Sequence, residues 1–261
     1  MRSALLALLF LVVASGQAKV VGKNVQYTSD GVTLKGYVAL DNSLKGKRPG
    51  VLVVHEWWGN NDYSRRRADM LARLGYVAFA VDMYGDGKVV DTPADAGKLS
   101  GEAMKNAGAM KARFDAALEA LKKNTSVDPA RIGAIGYCFG GGVVLNMACS
   151  GEDLKGVVSF HAGLGSVTPP KPGAVKASIL VCNGAADKFN PDEAVKSFRG
   201  GLDSANAVYT FINYPDALHS FTNPASTKIG KKFNIPLAYN EKADKQSWAD
   251  MKDFFKKVFA Q

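Results

Sequence analysis

The 261 residues carry 33 lysines and arginines against 24 aspartates and glutamates, a formal charge of +9, with 47% hydrophobic and 22% charged residues. That mix excludes a disordered chain, and the length suits one α/β core without division into domains. The cations are scattered, as in Lys45-Gly46-Lys47-Arg48, Arg65-Arg66-Arg67, Lys122-Lys123 and Lys256-Lys257, with no interleaved aromatics. This argues for solvated basic faces and against a nucleic-acid surface.

Arg2, the apolar run 4–13 and the small residues Ala14, Ser15, Gly16 and Ala18 follow the order of a secretory signal peptide. Residues 1–18 are therefore expected to be a leader, and residues 19–261 a single exported domain, periplasmic or secreted. The run is too short to span a bilayer, and no later stretch is longer, so no membrane span is expected.

Residues 25–27 and 32–40 flank Ser29-Asp30-Gly31 and read as a hairpin with an Asp-Gly turn. Residues 45–50 form a polar turn before a buried strand at 51–54. A helix over 62–74 follows, with Met70, Leu71 and Leu74 on one face and Gly75 as its stop. The next strand is 76–81, and then comes a glycine-rich loop, 82–91. Residues 93–123 are helical over much of their length, with Met110, Phe114, Ala117, Leu118 and Leu121 at helical spacing.

Strands are read at 131–135, 156–160, 177–182 and 208–213, and helices at 140–148, 191–202 and 241–259. Residues 221–239 lack strong periodicity and read as a long polar loop. Strand and helix in alternation give an α/β fold: a mostly parallel central sheet with helices on both faces and an N-terminal antiparallel hairpin.

Gly136-Tyr137-Cys138-Phe139-Gly140 stands directly after a strand and directly before a helix. That is the nucleophile-elbow pattern of the α/β-hydrolase fold with Cys in place of Ser. The tight turn leaves no room for side chains two residues before or after the nucleophile. A thiol at a helix N-terminus also sits in partial positive charge, which favours thiolate.

The fold takes its acid and base in the order nucleophile, acid, base. Asp187 lies just past the strand that ends at Cys182, and His219 alone of the three histidines follows Asp187 in the chain. Backbone N–H groups of Trp57 and Phe139 are the candidate oxyanion donors. Trp58, Tyr84 and Lys88 are candidate substrate contacts. In an exported chain Cys149 and Cys182 could pair, but both lie in apolar contexts that suit buried free thiols.

These residues resemble the dienelactone hydrolase family. The likeness lies in His55-Glu56-Trp57-Trp58-Gly59, Gly136-Tyr137-Cys138-Phe139-Gly140-Gly141, Asp187, His219-Ser220-Phe221, and residues Tyr239-Asn240 and 243–248. The resemblance implies a Cys138–His219–Asp187 triad that cleaves small esters or lactones through an acyl-enzyme; the alternative is a non-catalytic or thiol-redox role for Cys138 on the same fold. It also implies that Glu56 interacts with the thiol and helps generate thiolate. No cofactor and no metal are implied; the partner is a small-molecule substrate, and a monomer is expected.

Two arginines that hold the substrate carboxylate in the family have no counterpart here. The matching segments read Asp82-Met83-Tyr84-Gly85-Asp86-Gly87-Lys88 and Thr222-Asn223-Pro224. Lys88 could replace one of them only weakly, since lysine lacks the bidentate fork.

Overall fold

A computed structural model describes residues 19–260; the leader assigned to residues 1–18 lies outside them. Two strands open the chain, β1 (Val20–Ser29) and β2 (Val32–Asp41), paired antiparallel from Ser29↔Val32 outward. Between them Asp30 and Gly31 both adopt positive φ, 48° and 78°. Asp-Gly tolerates this two-residue turn, whose twist matches that of the strands.

Six more strands follow: β3 (Arg48–Val54), β4 (Val77–Val81), β5 (Val127–Tyr137), β6 (Gly156–Phe160), β7 (Ser178–Gly184) and β8 (Tyr209–Tyr214). The sheet order is β1-β2-β4-β3-β5-β6-β7-β8. β2 meets β4 antiparallel, and β4, β3, β5, β6, β7 and β8 run parallel to one another. The expected α/β-hydrolase architecture, hairpin included, is the one observed.

The central strands read as continuous apolar runs because both faces are covered. In β3, Leu52 and Val54 enter one core with Phe114, Leu118, Val143 and Leu202. Val51 and Val53 enter the other with Ala68, Leu71, Met251 and Phe255. The first core lies under α3 (Ala107–Lys122), α4 (Phe139–Cys149) and α5 (Asp192–Ser204), and the second under α1 (Asp62–Arg73) and α7 (Glu241–Val258).

Two segments differ from the sequence reading. The helical stretch 93–123 is two helices, α2 (Pro93–Lys105) and α3, separated at Asn106. The Asn106 side chain accepts the Ala109 N–H at 3.0 Å, so this residue caps the second helix. Within the expected loop 221–239 lies α6 (Ser226–Phe233), closed by Asn234 at φ 53°. Eight residues show barely two turns of periodicity, too few to stand out in the sequence.

Candidate active site

The parallel strands point their C-terminal ends one way, and five of them deliver polar residues there. His55 and Glu56 follow β3, Cys138 follows β5, His161 follows β6, Asp187 lies beyond β7, and His219 lies beyond β8. Ligand sites in open α/β sheets form at this edge.

Cys138 sits in a strained turn, with φ 53° and ψ −113°. Such values cost a non-glycine residue on the order of 1–3 kcal/mol and persist only where the surroundings enforce them. Glycine makes the enforcement possible. A Cβ at Gly136 would stand 2.0 Å from the Gly140 carbonyl oxygen, and one at Gly140 would stand 2.3 Å from that of Val54. The Gly140 N–H also donates to the His55 carbonyl at 3.0 Å, stitching the turn to the end of β3.

The turn half-buries Cys138 and sets its Sγ 3.1 Å from His219 Nε2. His219 Nδ1 lies 2.8 Å from Asp187 Oδ2, and both side chains are buried. Burial works to lower the His219 pKa, but the adjoining Cys138 sulfur and the Asp187 carboxylate outweigh it and raise it to about 10. Asp187 is held in turn, its Oδ1 accepting the Phe189 N–H at 2.9 Å and its Oδ2 the Asn190 amide at 3.3 Å. The Phe189 ring meets the His219 ring edge-on, centroids 4.8 Å apart.

The Phe139 and Trp57 N–H groups have no acceptor among the described residues. Phe139 opens α4, so its N–H sits at a positive helix end. The Trp57 carbonyl is fixed by the Tyr84 hydroxyl at 2.9 Å. A cavity of about 240 Å³ opens against Cys138 and Phe139. It is lined by Gly97, Ser100, Gly101 and Met104 of α2 and by Gly163 and Ser166.

The family model for the dienelactone hydrolases matches residues 34–259. This chain belongs to the dienelactone hydrolase family, a family of hydrolases. It is 32% identical to Protein usf of Aquifex pyrophilus over 212 residues, 78% of this chain and 88% of that protein. A dienelactone hydrolase-like promiscuous phosphotriesterase, P91, from metagenomic libraries superposes with a TM-score of 0.86 at 33% identity, covering 92% of this chain and 99% of P91. The structure named m3DLH superposes equally well, TM-score 0.86 at 35% identity, with the same shares covered.

In this member of the family, Glu56 makes no hydrogen bond to the Cys138 thiol among the described residues. Its carboxylate accepts the Ser220 hydroxyl and, at 2.6 Å, the Asn223 amide. Burial pushes its pKa up, against the pull of those two donors. Asn223 stands in the segment where the family resemblance expects an arginine.

Trp58 and Lys88 do not line the cavity at Cys138. Trp58 lines a cavity of about 470 Å³ with Lys228 and Phe233 of α6. Lys88 lines one of about 250 Å³ with Glu102 and Arg113. The cause is a strand-like bridge between Gly59 and Val89, backed by a 3.0 Å bond from the Val90 N–H to the Trp58 carbonyl, which ties the two loops together and aims them elsewhere. Tyr84 packs on Phe139, centroids 5.4 Å apart, and lines the Lys88 cavity.

Sequence reasoning missed Ser100 and Met104 of α2, Phe189 over His219, and the buried His161. Only His161 carried a signal: a lone histidine one step past a buried β-strand.

Proposed function

We propose that the chain hydrolyses small, uncharged carboxylic esters and lactones, with Cys138 as nucleophile, His219 as proton carrier and Asp187 as its orienting acid. The observation that carries this reading is the continuous chain Sγ–Nε2 at 3.1 Å and Nδ1–Oδ2 at 2.8 Å, at the end of a strained, glycine-flanked turn. His219, poised between a sulfur and a carboxylate, is suited to hold the imidazolium form.

In the reaction, the Cys138 sulfur attacks the carbonyl carbon. The carbonyl oxygen takes up the negative charge, and the Phe139 and Trp57 N–H groups stabilise it. As the tetrahedral centre collapses, His219 gives its proton to the departing alkoxide and a thioester remains. Water then attacks the thioester while His219 takes its proton. The thiolate departs with the acid released, regenerating the ion pair.

The cavity at Cys138 has glycine, serine, methionine and phenylalanine walls and, among the described residues, no lysine or arginine. Burying a carboxylate there without a partner costs several kcal/mol. Neutral acyl groups are therefore the fitting substrates. Residues 1–18, read as a leader, support an exported enzyme.

The test is a panel with the mature protein: p-nitrophenyl acetate, a dienelactone and its methyl ester, and, because P91 is named for it, a phosphotriester. Wild type should turn over the neutral esters with kcat/KM at least about tenfold above the free-acid lactone. Cys138→Ala should fall to background, while Cys149→Ala and Cys182→Ala keep their activity. Full activity in Cys138→Ala, or a preference for the free acid, would overturn the reading.

A further inference from the structure

We propose that His161 is a positioning residue for Cys138: its imidazole Nδ1 accepts the nucleophile's own backbone N–H and so helps lock the turn that aims the sulfur. The inference rests on the hydrolase reading for its purpose, but its geometry stands on its own. Pairing of Tyr137 with Phe160 in adjacent parallel strands brings Cys138 and His161 together, each one residue past its strand. The Cys138 N–H points between two acceptors, the Phe160 carbonyl at 3.0 Å and His161 Nδ1 at 3.1 Å.

An N–H can only donate, so Nδ1 must be unprotonated and the proton of the neutral ring lies on Nε2. Nε2–H then donates to Thr222 Oγ1 at 2.7 Å. Thr222 Oγ1 is 2.6 Å from the Tyr63 hydroxyl, which accepts the Arg67 Nε–H at 3.2 Å. Arg67 is itself buried, donating to the Thr222 carbonyl at 2.7 Å and paired with Asp244 of α7 at 2.5 Å. The tautomer of His161 is thus fixed from both sides, and its partners are anchored in α1 and α7.

Two further features mark the position. His161 is fully buried and holds φ 41°, as uncommon for histidine as φ 53° is for Cys138. Its ring packs edge-on against His219, centroids 5.4 Å apart, and against Phe221 at 5.2 Å. Burial, with His219 and Arg67 close by, keeps it neutral. A charged ring there would lose the acceptor that Cys138 uses and would repel the His219 imidazolium. The ring makes no hydrogen bond to a group that reacts; it acts through the backbone of the nucleophile.

The test compares His161→Phe with His161→Asn. Phenylalanine keeps the ring but removes the acceptor. Asparagine places Oδ1 near the site of Nδ1 and tolerates positive φ. In each variant the folded protein is treated with iodoacetamide at about pH 7 and modification of Cys138 is followed by peptide mass, beside kcat and KM on p-nitrophenyl acetate.

The expected result for His161→Phe is kcat and Cys138 alkylation lowered by roughly tenfold with KM changed less than about twofold. His161→Asn should stay within about threefold of wild type in both. Wild-type alkylation in folded His161→Phe, or an equal loss in His161→Asn, would overturn the proposal. If the phenylalanine variant does not fold, Thr222→Val carries the test. Losing the Nε2 partner should slow alkylation about threefold, and an unchanged rate would overturn the proposal. Alkylation needs no ester turnover. A wild type that cleaves no ester would defeat the hydrolase reading while leaving the positioning of Cys138 still measurable.

Discussion

The turn after β5 and the middle of β7 each hold a cysteine, and the two thiols have opposite surroundings. Cys182 lies fully buried in a regular strand, paired with Phe160 and Ile212 on either side, and burial pushes its thiol up to about 12. Cys138 lies where the strand has just ended, at a strained φ, half-buried, against an imidazole and a helix N-terminus. In one place the sheet consumes the backbone groups and excludes charge. In the other the sheet stops, leaving backbone donors free and histidines within reach. Residue type is the same; the end of a strand makes the difference.

Asp187→Asn breaks that difference hardest, short of removing Cys138. An amide at Asp187 offers its donor or its acceptor to His219 Nδ1 but no charge, so the tautomer is no longer fixed and the imidazolium loses its carboxylate. The expected loss in kcat is on the order of 10³–10⁴, by analogy with triads in which the acid is neutralised. Stopped-flow turnover of p-nitrophenyl acetate measures it. A loss below tenfold would mean that His219 is oriented by something other than Asp187.

The charge on His219 can be sharpened by pH. Its pKa in the folded protein is raised to about 10 by Cys138 and Asp187 in spite of burial, against an ordinary value of about 6.5. Folding therefore favours the proton-bound form. The stabilisation is fully present below about pH 6.5, shrinks as the pH rises, and is gone above about 10. Urea unfolding between about pH 7 and about pH 10.5 should show wild type losing more stability than His219→Gln. Parallel curves would show that folding does not retain a proton on His219. Cys182, whose thiol burial pushes up to about 12, adds a loss of its own once the pH passes the ordinary thiol value of about 8.5, so substituting it should flatten the curve only above that pH.

Why the site was largely legible in the chain follows from the same contrast. Gly136 is demanded by the Gly140 carbonyl four residues on and Gly140 by the Val54 and His55 carbonyls at the end of β3, and both still show in the chain as glycines spaced evenly about Cys138. The order of Cys138, Asp187 and His219 follows from the parallel topology. His161 depends on which strand lies beside β5, a long-range pairing that local pattern does not contain. Trp58 was expected at the pocket rim with the motif at 55–59 and Lys88 as a weak stand-in for a family arginine, and the Gly59–Val89 bridge turns both aside. The wall of the Cys138 cavity comes from α2, which the break at Asn106 separates from α3; the continuous helical pattern of 93–123 concealed that hinge point.

The smallest chemical change exchanges one atom at each of the two positions. Cys182→Ser replaces a sulfur in a closed apolar layer by a hydroxyl. The Tyr214 hydroxyl, 3.5 Å from Sγ, already gives its proton to Asp250 at 2.6 Å, so it can serve the new hydroxyl only as an acceptor. The shorter C–O bond draws the serine oxygen away from it, leaving a buried hydroxyl poorly paired at a cost of about 1–2 kcal/mol. Thermal unfolding should register that loss while kcat changes by less than about twofold. Cys138→Ser should do the reverse. The turn is open enough to accept a hydroxyl, so the melting temperature should hold. Turnover should collapse, because a serine hydroxyl is a far weaker acid and a poorer nucleophile than a thiol. If Cys182→Ser cut turnover and spared stability, reactivity would not belong to the strand end, and the contrast between the two regions would be lost.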